Sequence, residues 1–230
     1  MGPEAQTRAE RADVSKSKVA VIRCESYDET VVYDAVKRGV DLLGGVRRFV
    51  SPGERIVLKP NVLAGSPPER CVCTHPSVLH AVGRLFGSVN RDLTYGDSPG
   101  LGASAPQLAK AELTGAAAEL GLSLAEFDRG SPVDFEASPH ARRFVIADGV
   151  LAASGLVNIS KFKTHQLTRL TGAVKNLYGC IPGAQKKLGH LAYPSAFEFS
   201  SYLVALNLLL RERVRLHVMD GIMAMEGNGP

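Results

Sequence analysis

The chain has 230 residues, of which 45% are hydrophobic and 22% charged, which is ordinary for a globular protein able to bury a large core. The longest apolar run, around 202–210, contains Asn207 and is shorter than the roughly 18 residues that a membrane helix needs. The net charge of only +4, the 6% aromatic content and the lack of tryptophan argue against nucleic acid as a partner.

The first residues and the cysteines indicate the setting of the domain. Residues 1–17 mix basic and acidic side chains without an apolar stretch, so they resemble neither a secretory signal nor a transit peptide and predict a disordered tail. The four cysteines are too few and too irregularly spaced for a disulfide framework, which favours reduced thiols and, by default, a cytoplasmic location. The chain has no iron–sulfur motif, so the cofactor stays unknown.

Apolar runs rich in valine and isoleucine alternate with longer amphipathic segments, which indicates an α/β fold with a mostly parallel, open sheet flanked by helices. In chain order the first predicted elements are a strand at 18–24, a helix at 30–43, a strand at 55–59, a helix beginning near His75 with Thr74 as its N-cap, a strand at 93–96 and a helix at 105–120. They continue with a strand at 122–127, a polar loop at 130–139, a hairpin of 144–147 with 150–153, a strand at 155–160, a helix at 195–210 and a strand at 216–219.

These elements predict a single α/β domain over residues 18–230, with a small β excursion around 130–153. The sequence stops at Pro230, inside a glycine-rich turn that follows a predicted strand. Because a turn exists to connect two elements, we expect the natural fold to be truncated here and to continue beyond Pro230.

Four charged residues end or directly follow predicted strands: Lys59, Asp97, Lys161 and Asp220. In an open parallel sheet the carboxyl ends of the strands line one crevice, and ligands bind there. We therefore expect the four side chains to converge. The sequence predicts a binding site in that crevice.

A basic stretch supplies the predicted contacts to an anion. Residues 149–197 contain no aspartate or glutamate, and such a one-signed stretch suits an anionic ligand. Within it, Lys163 and His165 alternate with Phe162 and Thr164, so both cations share one side of an extended segment. The alternative is a solvated basic face.

The same stretch continues into a predicted helix. Thr171-Gly172 opens this helix, whose free N–H groups can hold an anion, and Lys175 and Asn176 lie just inside it. The alternative is that Gly172 is only a packing or turn residue.

The segment Gly96-Asp-Ser-Pro-Gly100 matches the G-x-S-x-G pattern of a hydrolase nucleophile elbow. Pro99 has no N–H to offer an oxyanion, so we assign Ser98 to ligand binding and not to nucleophilic attack. Asp97 is assigned as a site carboxylate, and a helix-capping or turn role is the equal alternative. The overlapping G-x-G-x-x-A run at 100–105 is a weak dinucleotide fingerprint because it follows the third predicted strand and not the first.

Other polar residues are predicted to form the walls of the crevice. Asn61 follows the turn after Lys59, and His75 stands at a helix N-terminus from which it could reach the crevice. Glu226 and Asn228 lie in the glycine-rich segment after Asp220, where glycines allow close backbone approach to a ligand. Taken alone, either group of residues could serve only to form a turn.

Cys71 and Cys73, followed by His75, could supply metal ligands. Their spacing matches no closed zinc site, and a C-x-C before a helix is more often incidental. We therefore assign no metal ligand.

Taken in series, these motifs resemble the uncharacterised family catalogued as domain of unknown function 362. The resemblance covers residues 19–230. It rests on Lys59-Pro-Asn61, Thr74-His75-Pro76, Gly96-Asp-Ser-Pro-Gly100, Lys161-Phe-Lys-Thr-His165, Thr171-Gly-Ala-Val-Lys-Asn176 with Gly179 and Pro182-Gly183, and Asp220-Gly-Ile followed by Met225-Glu-Gly-Asn-Gly-Pro230.

The resemblance implies that members often continue well beyond the final Gly-Pro, and that some carry ferredoxin-like cluster motifs in the same chain. It therefore suggests redox-linked chemistry, although this chain has no cluster motif. Cys71 and Cys73 are not part of the family pattern. The family provides no settled catalytic assignment.

The leading hypothesis is an enzyme domain, oxidoreductase-like before hydrolase-like, that acts on a small anionic substrate or cofactor. The assigned catalytic residues, with acid/base or metal-ligand roles as the alternatives, are Asp97, His165 and Asp220. The assigned ligand-binding residues are Lys59, Asn61, His75, Ser98, Lys161, Lys163, Thr164, Gly172, Lys175, Asn176, Glu226 and Asn228. The alternative is a non-catalytic binding or carrier module that works with an iron–sulfur or other redox protein partner. The sequence does not give the oligomeric state.

Overall fold

The computed structural model describes residues 17–139 and 141–229, apart from the side chains at positions 184, 187, 188 and 190. The predicted disordered tail, except for its last residue Ser17, lies outside these residues. So does Pro230, at which the truncation was predicted.

Strands and helices alternate along most of the chain. The strands are β1 (Ile56–Lys59), β2 (Leu93–Tyr95), β3 (Ser123–Leu124), β4 (Gly130–Asp134), β5 (Arg143–Ala147), β6 (Gly155–His165), β7 (Arg169–Thr171) and β8 (Val214–Met225). The α-helices are α1 (Glu29–Leu42), α2 (Pro76–Gly87), α3 (Ser104–Lys110), α4 (Leu113–Glu119), α5 (Asp148–Leu151), α6 (Ala173–Asn176), α7 (Gly183–Ala192) and α8 (Ala196–Leu210). Short 3₁₀ turns lie at Val46–Arg48, Pro68–Arg70 and Leu177–Cys180.

Six of these strands form the central sheet. Its order is β3-β2-β1-β6, and both β7 and β8 also pair with β6. All pairs are parallel except β6 with β7. A separate two-stranded antiparallel sheet is formed by β4 and β5. The predicted α/β class with a mostly parallel sheet is confirmed.

Both faces of the central sheet are covered, which explains why β1 reads as a continuous apolar run up to its last residue. Ile56 and Leu58 point into one core with α1, α2, α3 and α4, whereas Val57 points into a second core with α8. Because the side chains of a strand alternate, Lys59 lies on the same face as Val57. The end of β1 therefore places a lysine inside the protein.

The helix starts follow local sequence signals. Asp28 caps α1 by accepting the N–H groups of Thr30 and Val31, and Ser195 forms a capping box with Glu198 at α8. Pro76 occupies the first turn of α2, as expected for a residue without an N–H.

The predicted strand at 18–24 is wrong as a member of the sheet. The segment has no strand assignment and pairs with no other strand in the described part of the chain. Its alternation of side chains is real: Ala20, Ile22 and Cys24 are partly buried, and Val19 and Val21 are exposed. Side-chain packing, including Ile22 against α1, replaces the hydrogen-bonded ladder.

The predicted loop at 130–139 is wrong over residues 130–134, and the predicted hairpin at 144–153 is wrong in its second strand. The hairpin in the structure is formed by β4 and β5, which pair from Gly130 with Ala147 to Asp134 with Arg143. Asp148-Gly149 begins the short α5 and does not form the predicted turn, because the Gly149 N–H donates to Glu126 O at 2.7 Å. The predicted β excursion therefore exists: the strand predicted at 144–147 is β5, but its partner is β4 and not residues 150–153.

Several boundaries differ from the prediction: the strands predicted at 155–160 and 216–219 are longer, as β6 and β8. The helix at 105–120 is broken at Glu112, whose φ of +58° is incompatible with a continuous helix, so that α3 and α4 are separate. The strand at 122–127 is reduced to Ser123–Leu124. His75 and not Thr74 caps α2, because Thr74 Oγ1 instead donates to Ile159 O at 2.8 Å.

Candidate functional site

The ends of β1 and β2 are joined by a buried ion pair. Lys59 Nζ lies 2.7 Å from Asp97 Oδ1, and both side chains are almost completely inaccessible to solvent. This contact lacks hydrogen-bond geometry at Oδ1, so charge attraction dominates it. Asp97 Oδ2 accepts the N–H of Val62 at 2.8 Å, which ties the loop after β1 to the same carboxylate. Both side chains are therefore held in place by their burial and by the ion pair.

Gly179, in the 3₁₀ turn at Leu177–Cys180, covers one side of this ion pair. A Cβ at this position would lie 2.5 Å from Lys59 Nζ and would overlap Asp97 Oδ1. The Gly179 carbonyl also accepts the N–H of Ser98 at 3.1 Å. A larger residue here would force the ion pair or the turn to shift, since the backbone passes directly over the ion pair.

A second buried ion pair joins β6 to β8. Lys161 Nζ lies 3.0 Å from Asp220 Oδ2 and donates to the Tyr27 hydroxyl at 2.7 Å. The same hydroxyl donates to Asp220 Oδ1 at 2.8 Å and accepts the N–H of Met223 at 3.3 Å. Asp220 Oδ2 also accepts the N–H of His75 at 3.0 Å. Every oxygen of the carboxylate is thus engaged.

Tyr27 and His75 cover this second pair. Their rings are stacked, with centroids 3.7 Å apart. His75 Nδ1 accepts the N–H of Ser77, and burial lowers the pKa of His75 below its usual value. The imidazole is therefore neutral near pH 7. Burial, followed by the charge of Asp220, raises the pKa of Tyr27 well above that of a free tyrosine, so its hydroxyl keeps its proton.

Lys163 lies at the start of a chain of amides that links β6 to α6. Its Nζ donates to Asn61 Oδ1 at 2.8 Å and to Val72 O at 2.7 Å. Asn61 Nδ2 donates to Asn176 Oδ1 at 3.0 Å, and Asn176 Nδ2 donates to Asn158 Oδ1 at 2.7 Å. Burial lowers the pKa of Lys163 to about 8, and the nearby Cys73 thiol partly offsets that effect.

Lys175, next to Asn176 on α6, differs from the other lysines of the cluster. It is partly buried, and no hydrogen bond or ion pair to another described residue satisfies its ammonium group. Burial lowers its pKa to about 8; the charge of Asp97 raises it and the charge of Lys59 lowers it further. The charges of the first ion pair therefore act on an ammonium group that has no partner of its own among the described residues.

Lys186 of α7 is buried against the turn that follows Asp97. Its Nζ donates to the carbonyl oxygens of Ser98 and, at 3.2 Å, of Pro99. Burial lowers its pKa to about 8. The Ser98 hydroxyl is buried without a hydrogen-bond partner among the described residues. The Lys186 side chain thus stabilises the turn at 97–99 by binding the backbone carbonyl groups of that turn.

Together, five lysines surround two aspartates. The lysines are Lys59, Lys161, Lys163, Lys175 and Lys186, and the aspartates are Asp97 and Asp220. The cluster has an excess of three positive charges when all seven groups are ionised. Three of the lysines have no aspartate partner, and these are the lysines whose pKa is lowered: Lys163, Lys175 and Lys186.

The remaining predicted residues of the basic stretch have local roles. His165 Nδ1 accepts the N–H groups of Leu167 and Thr168 at 3.1 and 3.3 Å, which stabilises the turn between β6 and β7. Thr164 Oγ1 is buried without a hydrogen-bond partner among the described residues. Gly172 precedes the predicted helix, α6, which has only four residues. A helix of one turn offers little dipole for an anion.

Glu226 and Asn228 are exposed beyond the end of β8. Gly229, between them and Pro230, has a φ of +89° and packs against the backbone of Thr164 and His165. This turn therefore lies against the β6–β7 turn. The structure does not bring Glu226 or Asn228 into the two buried ion pairs.

Sequence reasoning did not assign several residues of the cluster. Asn158 could have been found, because an asparagine within the apolar run at 155–160 is unusual for a buried strand. Gly179 and Lys186 were noticed only within a family motif and a basic stretch. Tyr27 has no local signal, because its contact with Asp220 spans 193 positions.

The structure also contains two surface cavities of about 360 and 560 Å³. The larger lies between α2 and α4 and is lined by His80 and Glu119 among others, whereas the smaller lies along α1. None of the predicted site residues lines either cavity. In the described part of the chain, no three histidine, cysteine, aspartate or glutamate side chains are arranged to hold a metal ion. No helix there is both long and apolar enough to span a bilayer.

Comparison with known proteins identifies the family but not an activity. A thylakoid-associated protein of Synechocystis sp. (strain ATCC 27184 / PCC 6803 / Kazusa), sll1697, is 33% identical over 214 residues. The match covers 92% of this chain but 65% of that relative's length. No solved structure matches the chain. The family model for the domain of unknown function DUF362 matches residues 56–230, and the chain therefore belongs to the DUF362 family.

Proposed function

We propose that this domain binds a small anionic ligand beside Lys175, at the carboxyl ends of the parallel strands. The observation that carries the proposal is the ammonium group of Lys175, which has no partner among the described residues, in a lysine cluster whose other members all have partners. A partly buried cation without a counter-ion is costly, and a bound anion would supply that counter-ion.

The excess positive charge supports an anion over a neutral ligand. Lys59 and Lys161 are each neutralised by an aspartate, whereas Lys163 and Lys186 are bound by neutral oxygens of amide and carbonyl groups. A carboxylate or phosphate at Lys175 would offset part of this charge at close range, in an environment that screens charges less than water does.

The same contacts bear on the predicted acid/base residues. Asp97 is ion-paired with Lys59 and accepts a backbone N–H, and Asp220 accepts from Lys161 and from a backbone N–H, so neither is positioned as a free base. His165 uses Nδ1 to hold its own turn. These contacts favour Lys175 as the centre of the site and give the two aspartates structural roles.

Because both aspartate carboxylates are already engaged in contacts, the structure also favours the second candidate, a binding or carrier module without turnover. Redox-linked chemistry and an iron–sulfur or other redox protein partner are suggested only by the family resemblance and remain predictions. A cytoplasmic location also remains a prediction, because the relative's name associates that protein with thylakoids.

Isothermal titration calorimetry with inorganic phosphate and with oxalate, at constant ionic strength, tests the proposal. The wild type should bind at least one of the two anions with a stoichiometry of one. Lys175→Met should weaken that affinity by about 10- to 100-fold, the loss expected for one hydrogen bond to a charged group.

Lys110→Met is the matched control, since Lys110 is an exposed lysine on α3 and should leave affinity unchanged. Absence of saturable binding by the wild type, or equal weakening by both substitutions, would refute the proposed site. A ligand that binds tightly but is never converted would favour the carrier.

A further inference from the structure

We infer that Lys175 captures its ligand covalently, by forming an imine with the carbonyl carbon of a small anionic aldehyde or ketone. This inference rests on the proposed function, because it places the reactive group of the anion at the same lysine. It narrows the ligand class from anions in general to anions that carry a carbonyl group, such as 2-oxo acids or phosphorylated aldehydes.

The first argument is that Lys175 alone among the cluster lysines has a nitrogen without a partner in the described residues. The Nζ atoms of Lys59 and Lys161 are paired with aspartates, and those of Lys163 and Lys186 donate to carbonyl or amide oxygens. An amine can attack a carbonyl carbon only through a free lone pair, and the four engaged nitrogens would first have to break buried contacts.

The second argument is access and position. Lys175 is partly buried and therefore reachable, whereas the four other lysines are almost fully buried. Its helix α6 is held by Asn176, which bonds to Asn61 and Asn158 and so fixes the neighbouring backbone. The amine is thus presented from an anchored turn.

The third argument is the charge around the amine. Lys59, Lys163 and Lys186 act on Lys175 as like charges and Asp97 as the opposite charge. Burial and the Lys59 charge lower the pKa of Lys175 to about 8, so about a tenth of the amine is neutral at pH 7, compared with under about a thousandth for an exposed lysine. A desolvated lysine near another cation is the environment in which imine-forming lysines occur.

The reaction balances without any further reagent. Nζ adds to the carbonyl carbon to give a carbinolamine, which loses its hydroxyl group as water and leaves a carbon–nitrogen double bond. One water leaves for each imine formed, and hydrolysis returns the free lysine and the carbonyl compound. The anionic group of the ligand would remain within the excess positive charge of the cluster.

Trapping with glyoxylate and sodium cyanoborohydride tests the inference. Cyanoborohydride delivers hydride to the imine carbon, and a proton from water completes a stable carboxymethyl-lysine, which peptide mass spectrometry can locate. Labelling of Lys175 should exceed that of exposed Lys110 by about tenfold or more at neutral pH, and inorganic phosphate should suppress it.

Lys175→Arg separates the two proposals, because arginine keeps the positive charge but forms no such imine. This variant should bind phosphate but lose the preferential adduct. If the wild type binds phosphate while glyoxylate labels the exposed lysines as fast as Lys175, the imine is refuted and anion binding stands. If the wild type binds neither phosphate nor oxalate, the proposed function itself fails.

Discussion

Replacing Gly179 with alanine should destabilise the protein through the buried Lys59–Asp97 pair. The added carbon would lie 2.5 Å from Lys59 Nζ and 2.9 Å from Lys59 Cε, and it would overlap Asp97 Oδ1. Either the turn at Leu177–Cys180 shifts or the pair opens. Overpacking costs about 1–3 kcal/mol and breaking a buried pair about 3–5 kcal/mol, so we expect a loss of about 3 kcal/mol.

Urea unfolding followed by circular dichroism measures this loss directly. In a chain of this size the melting temperature should fall by about 6–12 °C. Gly115→Ala is the matched control: it makes the same change in α4, where the new carbon meets no atom within 4 Å. It should stabilise the protein by up to about 1 kcal/mol. A Gly179→Ala variant within about 0.5 kcal/mol of the wild type would refute the reasoning.

Three further predictions concern other parts of the cluster. Tyr27→Phe removes a hydroxyl bonded to Lys161 and Asp220, and should lower the free energy of unfolding by about 1–3 kcal/mol; a wild-type urea midpoint would contradict this. Because burial lowers the pKa of Lys186 from 10.5 to about 8, the unfolded chain binds more protons between those values. The stability of the wild type relative to Lys186→Met should therefore rise as pH increases from about 8 to 10.5, and a constant difference across that range would be the contrary result. The thiols should react with iodoacetamide in two classes, with the partly exposed Cys24 and Cys71 labelled before the buried Cys73 and Cys180. Peptide mapping that finds equal rates would show that burial does not protect them.

The central sheet was predictable because its signals are local. The apolar runs of β1 and β6, and the charged residue at the end of β1, can be read directly from the sequence. The pairing of these charges was not predictable. Lys59 and Asp97 lie in different βα units, and which aspartate meets which lysine depends on strand order, which no local pattern specifies.

The errors have a common physical cause, which is that contacts distant in the chain overrode local preference. Asp148-Gly149 is a good turn dipeptide, yet Gly149 is drawn into α5 by its bond to Glu126. The alternating segment at 18–24 has the pattern of a strand but no paired neighbour in the described residues. The free state of Lys175 depends on which oxygens lie near it, so no sequence pattern could reveal it.

The contact between Tyr27 and Asp220 has a consequence for synthesis of the chain. It joins residues 193 positions apart, and Tyr27 leaves the ribosome long before β8 has been made. Until β8 docks on β6, Lys161 has no carboxylate to offset its charge, and Tyr27 lacks the oxygen to which it donates. The second ion pair therefore forms late, after loop closure over most of the chain.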